Sequence, residues 1–288
     1  MNGILQGNRI ADVLIYLKQA IERAGYDERE IKQISKCLLE DLLDLPYVEI
    51  HLNPQRTISE SQILQLHRKV KRLLAREPLQ YVLGYTWFLN LKFQVSPSVL
   101  IPRPETEELV LGVIERLKGK SEGSVIDLGT GSGCIAIALK DQLPNWHVTA
   151  LDLSAEALEV AALNAQLNEK EIAFSQMDIF HLSEWNMEYD AVVSNPPYVL
   201  NRDRFEMQQQ VLQHEPHMAL FVADDDPLIF YRAITRWSAG HLLAGGVLAF
   251  EVHEQFAHEV AALLSEYGFQ ATIQRDLQDK NRFVFGTR

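Results

Sequence analysis

"VIDLGTGSGCIAIAL", residues 125–139, reads as three pieces in succession. Val125, Ile126 and Leu128, with the one acid Asp127 among them, read as a strand. Gly129, Gly131 and Gly133 then let the backbone turn sharply and come close to a ligand. Cys134 to Leu139 continues as an apolar helix. A strand, a glycine turn and a helix open an α/β sheet whose ligands bind beyond the carboxyl ends of its strands.

Working downstream, the alternation continues. VTALDL (148–153), IAFSQMD (172–178) and DAVVS (190–194) read as strands, and so do GVLAFEV (246–252), FQATIQ (269–274) and RFVFG (282–286). Helices fill the gaps, notably 154–168, with Ser154 as its N-cap. With SVIDL (124–128) this predicts a Rossmann-like α/β fold: a mostly parallel, seven-stranded sheet with helices on both faces.

Upstream, the texture differs. Ile10, Val13, Leu14, Leu17 and Ile21 fall at helical spacing, and so do Ile31, Ile34, Leu38 and Leu42. Ile63, Leu66, Val70, Leu73 and Leu74 continue the pattern, which predicts a small helical bundle over 1–80. Leu89, Leu91, Phe93 and Val95 then alternate with polar residues, as in a hairpin arm. Pro97, Pro102 and Pro104 stiffen the passage that follows, and Pro104 with Glu105, Glu107 and Glu108 makes a sound helix start. The expected organisation is a helical domain (1–80), a hairpin linker (81–104) and an α/β domain (105–288).

Composition narrows the function classes. The chain has 288 residues and a net charge of −12. Residues 1–80 carry 12 Lys and Arg against 11 Asp and Glu, so the acid excess lies in the remainder. A field of that sign repels nucleic acid, and direct binding would need a local basic patch. HRKVKRLLAR (67–76) is the most basic stretch, either a solvated helix face or a docking surface for an acidic or RNA-bearing partner. No run approaches a membrane span. The first 20 residues carry Arg9, Asp12 and Lys18 within their apolar pattern and read as an amphipathic helix, not a signal peptide. Cys37 and Cys134 are far apart and read as free thiols of a cytoplasmic protein. No cluster has metal-ligand spacing, so no metal is expected.

The glycine loop alone leaves two cofactors open. Gly131, Gly133 and Ala136 satisfy a degenerate dinucleotide fingerprint, and Asp152 follows about 20 residues on. Asp127, just before the glycines, tilts the choice. A carboxylate is awkward beside a pyrophosphate but suits a cationic methionine ammonium and a sulfonium, as in S-adenosylmethionine (SAM). Asp152 can hold a ribose, and Asp178 can accept from an adenine amino group.

Asn195-Pro196-Pro197-Tyr198 ends the fourth strand. An amide or aromatic amine nitrogen is a poor nucleophile because its lone pair is delocalised. A site that methylates one needs acceptors for both N–H bonds. The Asn195 side-chain oxygen and the Pro196 carbonyl can supply them. Prolines keep the segment rigid, and Tyr198 can stack on a flat group. Glu251 and His253, at a strand end, are weaker candidates for acid–base chemistry.

With these motifs in hand, the sequence resembles the HemK/PrmC family, the protein-(glutamine-N5) methyltransferases that modify peptide-chain release factors. The resemblance runs over nearly the whole chain: LGYTWFLNLKF, LIPRPETEELV, DLGTGSGCIAIAL, ALDLS, SNPPYV, HEPHMAL (214–220) and the RD…NRFVFG ending (275–286). It implies a class I SAM methyltransferase fold, with Asp127, Leu128, Gly129, Thr130 and Gly131 around the methionine moiety. It puts Asp152 on the ribose, and Asp178 and Ile179 beside the adenine. Asn195, Pro196, Pro197 and Tyr198 would bind the substrate glutamine, with Asn195 also near SAM. The implied substrate is the Gln of the Gly-Gly-Gln loop in class 1 release factors, docked with help from the N-terminal domain. Some members carry Trp where this chain has Ile179. A monomer acting without direct nucleic-acid contact is expected. Three other readings compete: a DNA or RNA amine methyltransferase sharing the NPPY logic, a non-catalytic SAM- or ribosome-associated protein, and a nicotinamide dehydrogenase, which leaves NPPY unexplained.

Overall fold

A computed structural model describes residue 5 and residues 7–288; the part of the expected N-terminal helix on Met1–Ile4 and Gln6 lies outside the described residues. The chain divides into two units. The first runs through Gly84 and takes in Gln208–His214; the second holds Tyr85–Met207 and Glu215–Arg288.

The first unit is helical. α1 (Ile10–Arg23), α2 (Glu28–Leu43), α3 (Tyr47–Leu52), α4 (Glu60–Leu74) and α5 (Leu79–Leu83) follow in order. Asp27 and Glu30 cap α2 reciprocally, as Ser59 and Gln62 cap α4, so donors that a helix start leaves orphaned are satisfied. Val13 and Leu17 of α1, Leu38 and Leu39 of α2, and Leu66 and Val70 of α4 share one buried core. Leu74, expected on that core, is 46% exposed instead, because it ends α4 beyond the buried stripe. The basic stretch 67–76 is engaged in part within the unit: Lys69 pairs with Asp41, Arg72 with Glu77, and Arg76 lies over the Tyr26 ring, while Arg68 and Lys71 are exposed.

The second unit starts with the hairpin β1 (Tyr85–Phe88) and β2 (Leu91–Gln94), then α6 (Pro104–Arg116). The hairpin is built into the unit's core. Phe88 and Phe93 are buried edge to face, and the Asn164 amide bonds both the Gln94 N–H and its carbonyl. Next come β3 (Ser124–Leu128), α7 (Cys134–Gln142), β4 (His147–Asp152), α8 (Ala155–Leu167), β5 (Ala173–Gln176) and β6 (Tyr189–Ser194). The short strands β7 (Val199–Leu200) and β8 (Phe221–Val222) pair with each other. Between them in sequence lies α9 (Gln209–His214), which belongs to the first unit. α10 (Ile229–His241), β9 (Leu242–Glu251), α11 (Ala257–Glu266), β10 (Gln270–Arg275) and β11 (Asn281–Thr287) complete the chain.

The expected seven-stranded sheet is present, in the order β10-β11-β9-β6-β3-β4-β5. β11 alone runs antiparallel to its neighbours β9 and β10. From β3 the chain first builds outward through β4 to β5, then returns to place β6 on the other side. The order therefore reverses at β3, and a crevice opens there at the carboxyl ends of β3, β4 and β6.

Candidate active site

A cavity of about 430 Å³ occupies that crevice, within the range of roughly 300–1,000 Å³ that takes a small molecule. Gly129 to Ser132 form one wall. Gly131 has φ +55°, and a Cβ there would meet no atom within 4 Å, so this backbone faces open space. Asp152 at the end of β4 accepts from the Gly131 N–H at 2.8 Å and from the Ser154 N–H at 2.9 Å. Burial pushes its carboxyl up, against those backbone donors. Asp178, Ile179 and Phe180 line the same cavity, and Phe180 packs on Phe230 with ring centroids 5.1 Å apart. Asp178 also caps the turn that follows, accepting from the Phe180 N–H at 2.9 Å, which ends β5 sooner than the sequence pattern suggests.

Asn195 and Pro197 line the cavity too, brought there by β6. The Asn195 Nδ2 donates to Thr106 Oγ1 at 3.2 Å. The Ser194 hydroxyl donates to the Leu128 carbonyl at 2.6 Å and fastens the segment to β3. Thr106, from the first turn of α6, is a lining residue that sequence reasoning passed over. Phe230 is another, and Pro216 and Met218 of HEPHMAL (214–220) line the cavity as well. Glu215, 4% exposed, holds the Ile101 N–H at 3.2 Å and the Arg103 guanidinium at 2.6 Å, tying the IPRP segment to HEPHMAL.

Four expected site residues are not on the cavity wall. Asp127 and Leu128 are fully buried beneath the glycine loop. Asp127 Oδ2 accepts from the Thr130 hydroxyl at 2.6 Å, while Oδ1 has no hydrogen-bond partner among the described residues. Burial pushes this carboxyl up to about 7; Thr130 opposes the shift and the nearby Asp152 charge adds to it. Pro196 is buried as well. Tyr198 does not offer its ring to the cavity, because its hydroxyl is drawn to Glu251 Oε1 at 3.0 Å. Glu251 and His253 do not line the cavity either: Glu251 is 1% exposed, and His253 caps the turn Glu254–Phe256.

The lining discriminates between cofactors. Its charged side chains are Asp152, Glu156, Asp178 and Arg103, and Arg103 is paired with Glu215. Two phosphates would meet three acids. A cofactor with an ammonium and a sulfonium meets the opposite of what it carries, above an unpartnered buried carboxylate oxygen.

The sequence matches the Methyltransferase small domain over residues 109–220 and the PrmC N-terminal domain over residues 12–84. The release factor glutamine methyltransferase of Flavobacterium psychrophilum is 42% identical over 263 residues, covering 90% of this chain and 92% of that protein. The chain belongs to the release factor glutamine methyltransferase family. The Bacteroides thetaiotaomicron member of this family is 34% identical over 96% of this chain and 99% of its own length. The Leptospira interrogans member is 37% identical over 88% and 90%. Among solved structures, a methyltransferase from Pyrococcus furiosus aligns over 80% of this chain and 98% of its own, at 14% identity and a TM-score of 0.49. No helix among the described residues is long and apolar enough to cross a membrane, and no described cluster can hold a metal ion.

Proposed function

We propose that this release factor glutamine methyltransferase transfers a methyl group from SAM to the side-chain amide nitrogen of the Gly-Gly-Gln glutamine in class 1 peptide-chain release factors. The observation that carries the reading is the shared cavity. One wall is glycine backbone with acids, suited to a cationic cofactor; another carries Asn195 and Pro197. S-adenosylmethionine, when bound, supplies an electrophilic sulfonium methyl.

The protein's residues supply the rest. Gly129 to Gly131 give the cofactor a close backbone wall. Asp152 holds the ribose, and Asp178 with Ile179 borders the adenine. Asp127 acts from beneath the loop, through its charge and its bond to Thr130. Asn195 Oδ1, on the wall, accepts an N–H bond of the substrate amide and holds its nitrogen in line for attack, and the buried Pro196 keeps the segment rigid. Tyr198 holds this segment through Glu251 and does not stack on substrate. No strong general base is required, since the amide nitrogen becomes acidic as it gains a fourth bond.

The helical unit docks the release factor. Val48 and Leu52 support this role: they stand one turn apart on α3 and are 69% and 74% exposed. The enzyme works as a monomer in the cytoplasm, in keeping with two free cysteines. It works without nucleic acid, in keeping with its acidic second unit.

The test is methyl transfer from radiolabelled SAM to purified class 1 release factors, to their Gln→Ala variants at Gly-Gly-Gln, and to mixed DNA and RNA. Label on the wild-type release factor alone supports the reading. Label on nucleic acid instead would recast Asn195 to Tyr198 as a base-amine site.

A further inference from the structure

Glu251 is a buried acid away from the cavity wall, and methyl transfer does not call for it. Its Oε2 accepts from the Thr106 hydroxyl at 2.7 Å and its Oε1 from the Tyr198 hydroxyl at 3.0 Å. Burial pushes this carboxyl up, and the two donors, with the nearby Arg282 charge, oppose the shift and favour the ionised form. Thr106 Oγ1 in turn faces Asn195 Nδ2 at 3.2 Å. Residues from α6, from the segment after β6 and from the end of β9 thus converge on Asn195.

The chemistry of a hydroxyl gives this chain of bonds a direction. A threonine has one proton to donate and lone pairs to accept with, and an ionised carboxylate only accepts. With the Thr106 hydroxyl donated to an ionised Glu251, Oγ1 presents only lone pairs to Asn195. The two ends of an asparagine amide are nearly equal in shape but opposite in role. Oγ1 can take only the Nδ2 end, which turns Oδ1 away from Thr106.

Resting on the methyl-transfer reading, we propose that Glu251 and Thr106 are positioning residues that lock the Asn195 amide with its oxygen toward the substrate N–H. In the opposite orientation Nδ2 would meet the substrate amide's own NH₂, donor against donor. Tyr198 forms the second arm, fixing the other carboxylate oxygen and the chain just past Asn195.

The test uses the full chain as wild type, Thr106→Val, Thr106→Ser, Glu251→Gln and the Thr106→Val/Glu251→Gln double variant. Steady-state methyl transfer to a class 1 release factor is measured beside calorimetric SAM binding. Thr106→Val keeps the shape and removes the hydroxyl. It is expected to lower kcat by about 10–100-fold while SAM affinity stays within about twofold. Thr106→Ser restores most of the rate, because it keeps the O–H. Glu251→Gln leaves one acceptor for two hydroxyls, puts an amide donor against Thr106 or Tyr198, and lowers kcat. The double variant is no slower than the worse single one, since both act through Asn195.

A Thr106→Val rate within about twofold of wild type would overturn the proposal. So would a Thr106→Ser rate as low as that of Thr106→Val, because packing and not the hydroxyl would then matter. Loss of SAM binding together with rate in Thr106→Val would also overturn it, by placing Thr106 in the service of the cofactor. A wild-type protein that binds SAM yet methylates no release factor refutes the parent reading and this one with it, and that failure shows before any variant is made.

Discussion

Asp127 carries a charge that the fold alone does not favour. In the unfolded chain an aspartate titrates near about 3.9, whereas burial raises this one to about 7. Its contribution to stability is therefore fully present below about pH 4 and is lost as pH rises through about 7. A cation bound above the loop reverses the preference, because it favours the ionised form. SAM affinity should rise with pH up to about 7 and level off above it, with proton uptake by buffer on binding near neutrality; calorimetry in buffers of different ionisation enthalpy measures both. Asp127→Asn removes the charge and keeps the shape. It should weaken SAM by about 1.5–3 kcal/mol, roughly 10–150-fold, and flatten the pH profile. Without SAM, at about pH 8, the same variant should melt higher than wild type by several degrees. Asn195→Ala is expected to act on the other partner. SAM binding should hold while kcat falls by about 10²–10³-fold, the scale seen when one polar group aimed at reacting atoms is lost; single-turnover transfer to a release factor separates the two effects.

The glycine loop shows how one element divides its duties among similar residues. Gly133 has φ +81°, and a Cβ there would stand 3.0 Å from Ile137 Cδ1 and 3.1 Å from Ala161 Cβ. Gly133→Ala should cost about 1–2 kcal/mol for left-handed backbone and about 1–3 kcal/mol for crowding α7 against α8, read by urea unfolding. Gly131→Ala meets open space, so it pays only the backbone cost and should show mainly as weakened SAM binding. The loop and its flanking strands were legible because parallel strands buried on both faces read as apolar runs, and because each glycine sits where the backbone demands one. The β9 start was less legible: the sequence pattern begins the strand at Gly246, yet it runs from Leu242. The Asn195–Thr106–Glu251 chain was not legible at all. Its bonds span 89 and 145 residues, and no local period encodes which side chains meet at such separations. For the same reason the partner of the Tyr198 hydroxyl is out of reach of the sequence: the residue type suggests stacking, while the bond to Glu251 is set by the tertiary fold.

At the scale of the whole molecule, the chain keeps chemistry and net charge in one unit and a nearly neutral helical surface in the other. Of the five cations in 67–76, the most basic stretch, Lys69 and Arg72 are paired within the helical unit and Arg76 lies on a ring, which leaves Arg68 and Lys71 on its surface beside exposed apolar side chains. Val48 and Leu52 are the clearest candidates for apolar contact with a protein, because both are exposed on one short helix and neither belongs to the unit's core. If the release factor covers them, each contributes about 1.5–3 kcal/mol on burial. A Val48→Asp/Leu52→Asp variant should then raise the KM for a class 1 release factor by at least roughly 100-fold. The rate at saturating release factor and the affinity for SAM should stay near wild type. A short peptide carrying Gly-Gly-Gln cannot reach a second surface, so both proteins should methylate it at the same slow rate. That comparison separates docking from damage. A rise in KM confined to the full-length substrate places the contact on α3. An equal loss on peptide and protein would mean that the substitutions had disturbed the enzyme itself. An unchanged KM would move the docking surface off α3 altogether.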